Sequence, residues 1–386
     1  MAVHFTKEEF NLRIQRAAKA ISDLGMEGIL LFAPESQYYL TGYDTFGFAM
    51  FQCMVLKADG TIDLITRLPD LRQAQQTSIL SDEHIHVWPE KEGANPAKAL
   101  LQLLCSRNLM GKKLGIETRT AGLTAFNGDL VNEVLTPVVT LIEASNVLPE
   151  LRRQKSAQEI MYHRKAAELS DLALDAAVVA IKPGAFEGDI LAEMQGSVFR
   201  GGGGYAGNEF VIGSGPAARL CRYQSGPRHL DSEDQLTLEW SGAYFRYQAA
   251  MIRTLIVGSP SDKQREMHQV ATDALEACEA AIKPGHPMGD VYQAHAHVFD
   301  SQGYSHARLQ ACGYGMGAVF NPIWVDFPMF YKNNPLIMNS GNVYFLHMIL
   351  MDDDTGFAMC WGHSVLVTDS GVERLSRSTQ DLVAVA

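Results

Sequence analysis

The stretch ALDAAVVAIKPGAFEGD (residues 173–189) recurs as ALEACEAAIKPGHPMGD (274–290), at an offset of 101, with ten of seventeen positions identical and no gap. In each copy a helical run is stopped by Lys-Pro-Gly and followed by a turn and a second helix start. Proline has no N–H with which to continue a helix, and glycine accepts the positive φ that ends one. Strand-like runs follow each copy. Two helix-plus-strand units of about 100 residues constrain this part of the chain to a pseudo-twofold domain, with its site expected between the copies.

The repeat occupies only the later part of a chain of 386 residues, which is too long for one ordinary core. Upstream, Glu8–Leu24 has helical periodicity and GILLFA (28–33) reads as a short buried strand. FQCMVLKADGTIDLIT (51–66) reads as a hairpin turning at Asp59-Gly60, PAKALLQLLCSRN (96–108) as a helix and KLGIE (113–117) as a strand. These predict a small α/β domain over 1–155, ahead of an α+β domain over 156–386.

Hydrophobic residues make up 47% and charged residues 20%, enough apolar surface for full cores. The net charge of −12 argues against a nucleic-acid partner and an anionic membrane surface. No apolar run of about 20 residues is present to span a bilayer, and the N-terminus enters an amphipathic helix with no signal-peptide pattern. None of the six cysteines forms a CxxC pair, as expected of reduced thiols. The expectation is a cytoplasmic protein, and the composition does not identify its substrate.

LEWSGAYFRYQAAMIRT (238–254) reads as a strand–turn–strand hairpin, with alternating apolar residues, Gly242 and a closing Arg-Thr. Several other phrases accompany it in order: YYLTGY (38–43), EIMYHRKAAE (159–168), GSGP (213–216), GYGMG (313–317), GNVYFLHM (341–348) and GHSVLVTDSG (362–371). Together they resemble the creatinase/prolidase/methionine-aminopeptidase family, the M24 or pita-bread family, over nearly the whole chain. The resemblance implies a creatinase-like N-terminal domain, a pita-bread catalytic domain and a homodimer. Metal-dependent members hold two divalent ions with two aspartates, a histidine and two glutamates. Aligned phrase by phrase, those positions fall on Glu239, Ala250, Tyr314, His347 and the neighbourhood of Gly362–His363. At most one carboxylate survives, so neither a metal nor another cofactor is expected.

Creatinase and the ectoine hydrolases are the family members that this pattern resembles. Both cleave a C–N bond at an amidine-like carbon without metal, and ectoine hydrolases also carry a glutamate at the Glu239 position. An amidinium is planar, cationic and bidentate, which suits a carboxylate partner able to neutralise it, position water or attack its carbon. Glu239, His347 and His363 are therefore the candidate catalytic residues. Arg222, Tyr247, Tyr314, Phe46 and Arg219 are the candidate substrate-binding residues. Two departures stand out. Both relatives keep a histidine after a Gly-x-Gly-Pro-like phrase, where GSGPAARLCRYQSG (213–226) has Arg222, an anion clamp rather than a base. Creatinase reaches into the partner subunit's site with a Phe-x-Arg; here the similar spot is Phe46-Gly47-Phe48.

A plainer reading exists for each residue. For Glu239 it is a solvent-facing strand residue or a pair with Arg253, and for His347 a satisfied core histidine. For Tyr247 and Tyr314 it is a core aromatic, and for Arg222 and Arg219 a surface cation. A metal-dependent Xaa-Pro aminopeptidase or dipeptidase and a non-catalytic binding module are the rival functions. GGGG (201–204) reads as a connector, and AHAH (294–297) sets its histidines on different helix faces. The alternation in EHIH (83–86) puts His84 and His86 on one strand face, where two histidines make no site alone; MDDD (351–354) reads as an acidic turn, and Cys221 beside Arg222 lacks a nucleophilic triad.

Overall fold

A computed structural model describes residues 3–223 and 226–385, and the chain divides into two compact units, Met1–Arg152 and Arg153–Ala386. In the first unit a six-stranded mixed sheet runs Ile85–Val87, Ile62–Thr66, Cys53–Lys57, Gly28–Leu31, Lys113–Ile116, Thr140–Glu143. Alternation sends Ile29, Leu31, Leu56 and Leu64 to one face, under the helix Lys7–Asp23, and Leu30, Val55 and Ile65 to the other, under Pro96–Ser106 and Ala125–Leu135. Thr6 caps the first helix by accepting a bond from the Glu9 amide. The two histidines of EHIH do share a partner: His84 Nδ1 and His86 Nε2 each lie 3.0 Å from Asp63 Oδ1. Burial opposes ionisation of Asp63, but bonds from Arg107, His86 and His84 hold its carboxyl well below the usual range. That cluster is a structural ion network.

The second unit realises the repeat. Helices Ala157–Ala180 and Glu187–Arg200 form the first pair, Asp262–Ala281 and Met288–Ser301 the second. Gly184 and Gly285, which close the two Lys-Pro-Gly stops, both adopt positive φ, +79° and +84°. The residues just beyond them make equivalent bridges, Phe186 to His229 and Pro287 to Ile337. Each helix pair leads to a short strand and then a long hairpin: Val211–Ser214 before Asp234–Tyr244 and Tyr247–Val257, and Ala311–Gly315 before Val343–Asp352 and Phe357–Thr368. The first hairpin turns at Phe245 and Arg246, both at positive φ, not at Gly242. Gly242 instead lies where a Cβ would meet the Ala166 carbonyl of the covering helix at 2.1 Å.

Each hairpin is zipped along its length, by eleven opposed pairs in the first and ten in the second. The two repeats meet where Tyr247–Val257 lies beside Phe357–Thr368, and there only three pairs form. Side chains complete that seam: Thr254 Oγ1 accepts from the Cys360 amide at 2.9 Å, and Ser364 Oγ donates to the Ala250 carbonyl at 3.0 Å. Helix Ala157–Ala180 packs on the first hairpin and Asp262–Ala281 on the second.

Candidate active site

Strand register assembles the site. Glu239 lies opposite Ile252, Ile252 opposite Gly362, and Gly362 opposite His347, forming one row across four strands. Directly opposed residues share a sheet face. Two residues along, Ala250, Ser364, Phe345 and Tyr314 occupy the same face. Residues of opposite parity meet the helices: Trp240 donates to the Ser170 carbonyl, and the Trp361 ring stands against His268, 4.5 Å between centroids. Glu239, Ala250, Tyr314, His347 and Gly362 therefore lie together on the face turned away from the long helices, across the seam between the repeats.

Glu239 is largely enclosed by protein yet keeps some contact with solvent. It makes no hydrogen bond or ion pair among the described residues. Burial raises its carboxyl to about 7, and the charge of Arg222 opposes that rise. Arg222 itself is exposed, in a turn near enough for its charge to reach both Glu239 and Tyr314. Tyr314 accepts a 2.8 Å bond from Trp324 Nε1 and stands 5.6 Å from the His347 ring. Burial, reinforced by Glu239, keeps its phenol protonated. His347 is buried, its Nδ1 has no partner among the described residues, and burial lowers its pKa to about 4. It is a neutral imidazole at physiological pH. Thus the structure gathers Glu239, Arg222, Tyr314 and His347.

His363, Tyr247 and Arg219 are engaged elsewhere. His363 lies opposite Leu346 and Met251, so its side chain leaves the sheet on the helix side and meets Glu279 at 2.7 Å, with Arg374 on the same carboxylate. A shift of one residue along a strand reverses the face, and Gly362, not His363, occupies the site face. Tyr247 also belongs to the helix side, bonding Glu159 at 2.8 Å. Arg219 is ion-paired with Asp353. Phe46 belongs to the first unit, where it is 81% exposed. Arg253 does not pair with Glu239: it lies opposite Leu238 and points to the other face. Sequence reasoning missed Trp324, which orients Tyr314, and Cys360, whose thiol is pushed up by burial, by Cys221 and by Glu239. Counting alternate residues back from Gly362 was the available signal for Cys360. Nothing in the sequence marks Trp324.

A dinuclear centre needs several hard oxygen donors around two ions. The five aligned positions offer one carboxylate, one imidazole, a protonated phenol, a methyl group and a bare backbone. Gly362 has no room for more, since a Cβ there would lie 2.1 Å from the Leu346 carbonyl oxygen. This donor set does not fit two metals. Among the described residues, three potential ligands converge only at His306, Asp352 and Asp354, beside the turn of the second hairpin. Asp352 there already accepts from the Asp354 amide at 3.0 Å, as an acidic turn does.

A pseudo-twofold sheet with helix pairs on its back defines a pita-bread domain, which follows a creatinase-type N-terminal domain along the chain. Residues 161–369 match the model of metallopeptidase family M24, and residues 13–154 match the creatinase/prolidase N-terminal domain. The chain belongs to family M24, a family of hydrolases and peptidases. It is 25% identical to the uncharacterized hydrolase/peptidase y4tL of Sinorhizobium fredii, over 99% of this chain and 98% of that protein. It is 23% identical to the ectoine hydrolase of Halomonas elongata, covering 97% of each. The prolidase structure from Thermococcus sibiricus superposes with a TM-score of 0.87 at 21% identity, over 97% of this chain and 99% of that one. No helix among the described residues is long and apolar enough to cross a membrane.

Proposed function

We propose that this M24 hydrolase cleaves a C–N bond in a small amidine- or amide-bearing amino-acid derivative by side-chain chemistry, with an ectoine-like ring as the most specific candidate. The observation that carries the reading is Glu239: the one carboxylate among the five aligned positions, half-buried and without a hydrogen-bond or ion-pair partner among the described residues. A cationic substrate supplies the missing partner, and its charge favours the ionised carboxylate. The carboxylate then holds the amidinium bidentately and either orients water onto the electrophilic carbon or attacks it. His347, neutral and with its ring 5.6 Å from that of Tyr314, relays the proton released by that water to the leaving nitrogen as the C–N bond breaks, without holding it as a buried cation. Arg222 stands at the exposed side of the same site and suits a substrate carboxylate. The similarity to ectoine hydrolase over nearly the full length of both chains is consistent with this class.

The test is product analysis by mass spectrometry after incubating chelator-treated protein with ectoine, a guanidino acid or an Xaa-Pro dipeptide, each with and without manganese. Ring opening of ectoine at equal rates in both conditions is the expected result. Cleavage confined to the Xaa-Pro dipeptide, and only with manganese, would overturn the proposal and favour the prolidase reading.

A further inference from the structure

Arg253 is a costly residue for its position. It is 1% exposed, and among the described residues no carboxylate lies within ion-pair distance of it. An aliphatic side chain of similar volume would fill the space without burying a cation. What the guanidinium does there is specific. Its Nη1 donates to the carbonyl of Ile252 at 2.8 Å, on its own strand, and to that of Gly362 at 2.5 Å, on the strand of the other repeat. Ile252 and Gly362 are the middle pair of the row that runs from Glu239 to His347. The bond therefore crosses the seam directly behind that row, where only three backbone pairs join the repeats.

The guanidinium is itself held from outside. It stacks over the Trp361 ring at 4.3 Å, and its Nη2 donates to Ser378 Oγ at 2.9 Å. Ser378 Oγ lies 2.8 Å from Ser376 Oγ, which in turn donates to Asp171 on helix Ala157–Ala180. Trp361 Nε1 donates to Gln380 at 2.8 Å. Beyond it, Ala384 and Val385 pair with Ile256 and Val257. The C-terminal segment thus ties the first repeat's helix to the back of the seam, with Arg253 as the link.

We infer that Arg253 is a positioning residue: anchored by Ser376 and Ser378, it clamps the seam between the repeats and so sets the separation of Glu239 and His347 along their shared row. Its bearing on catalysis rests on the proposed roles of those two residues, whereas the clamp itself does not. Strands joined by few backbone pairs open locally at lower cost than zipped ones, and an opened seam admits water to Glu239.

The test compares Arg253→Met, Arg253→Lys and Ser378→Ala with the parent protein by amide hydrogen exchange and by carbon-13 titration of the Glu239 carboxyl, assigned with Glu239→Gln. In Arg253→Met, exchange across 249–254 and 358–364 should accelerate roughly tenfold or more, with the outer hairpin pairs unchanged. The Glu239 midpoint should fall by about one unit toward its ordinary value as water enters. Arg253→Lys should recover part of both effects, and Ser378→Ala, a surface-side change that keeps the guanidinium, should show the same pattern more weakly. Uniform acceleration through the whole sheet, or an unmoved Glu239 midpoint in both Arg253→Met and Ser378→Ala, would overturn the inference. Neither readout needs a substrate, so a failed turnover assay bears on the proposed function alone.

Discussion

Glu239→Gln should lower turnover of the C–N substrate by about a thousandfold or more while leaving the circular dichroism spectrum unchanged. The substitution keeps shape and removes only ionisation. No other group at the five aligned positions can take over, because Ala250 and Gly362 carry no functional group and Tyr314 holds its proton. His347 alone can move a proton but cannot neutralise a cationic ring. The affinity for a cationic substrate should fall in parallel, since the neutral amide loses the charge-assisted pair. Steady-state rates with the purified variant check this, and a loss smaller than tenfold would assign the chemistry to another residue.

The second large effect is on stability, and it runs opposite to activity. Burial raises the Glu239 carboxyl from an ordinary value near 4.5 to about 7 in the folded protein. Between those values the native state binds a proton that the unfolded chain has released. The stability contributed by the neutral carboxyl is therefore fully present below about pH 4.5, is lost as pH rises toward 7, and levels off above it. A shift of that size corresponds to about 3 kcal/mol at most, and residual solvent contact reduces it to about 1–2 kcal/mol. Glu239→Gln removes the penalty, so it should be more stable than the parent protein by about 1–2 kcal/mol at pH 8 and nearly equal to it at pH 4.5. Glu117, in the first unit, is likewise raised to about 7 by burial, against bonds from Ser36 and the Ala33 amide. It adds a slope of the same sign to both proteins and cancels in their difference. Urea midpoints at the two pH values measure that difference, and an equal difference at both would show that Glu239 titrates normally.

The architecture was legible because the repeat is written in residues whose backbone effects are local. Lys-Pro-Gly stops a helix wherever it occurs, and both copies do so here. The aligned ligand positions were legible for the same reason: each lies in a phrase with a fixed place on its strand, and register alone carries them to one face. Parity was where the reading failed. His363 and Tyr247 are each one residue from the site face, and the sequence offered no fixed point for counting until the pairing of Gly362 with His347 was known. Arg253 was beyond reach because its role depends on a contact with Gly362, far from it in the chain, and Trp324 because its bond to Tyr314, though only ten residues away, crosses a loop with no regular period. Strand pairing between repeats is a tertiary property, and no local pattern encodes which carbonyl a buried guanidinium will find.

The most direct measurement is manganese binding by the chelator-treated protein, followed by calorimetry and read together with turnover of the same samples. The account predicts no tight pair of sites that depends on Glu239, and a rate that does not change as metal is added. Two tightly bound ions per chain, lost in Glu239→Gln, with a rate that rises as they bind, would contradict it.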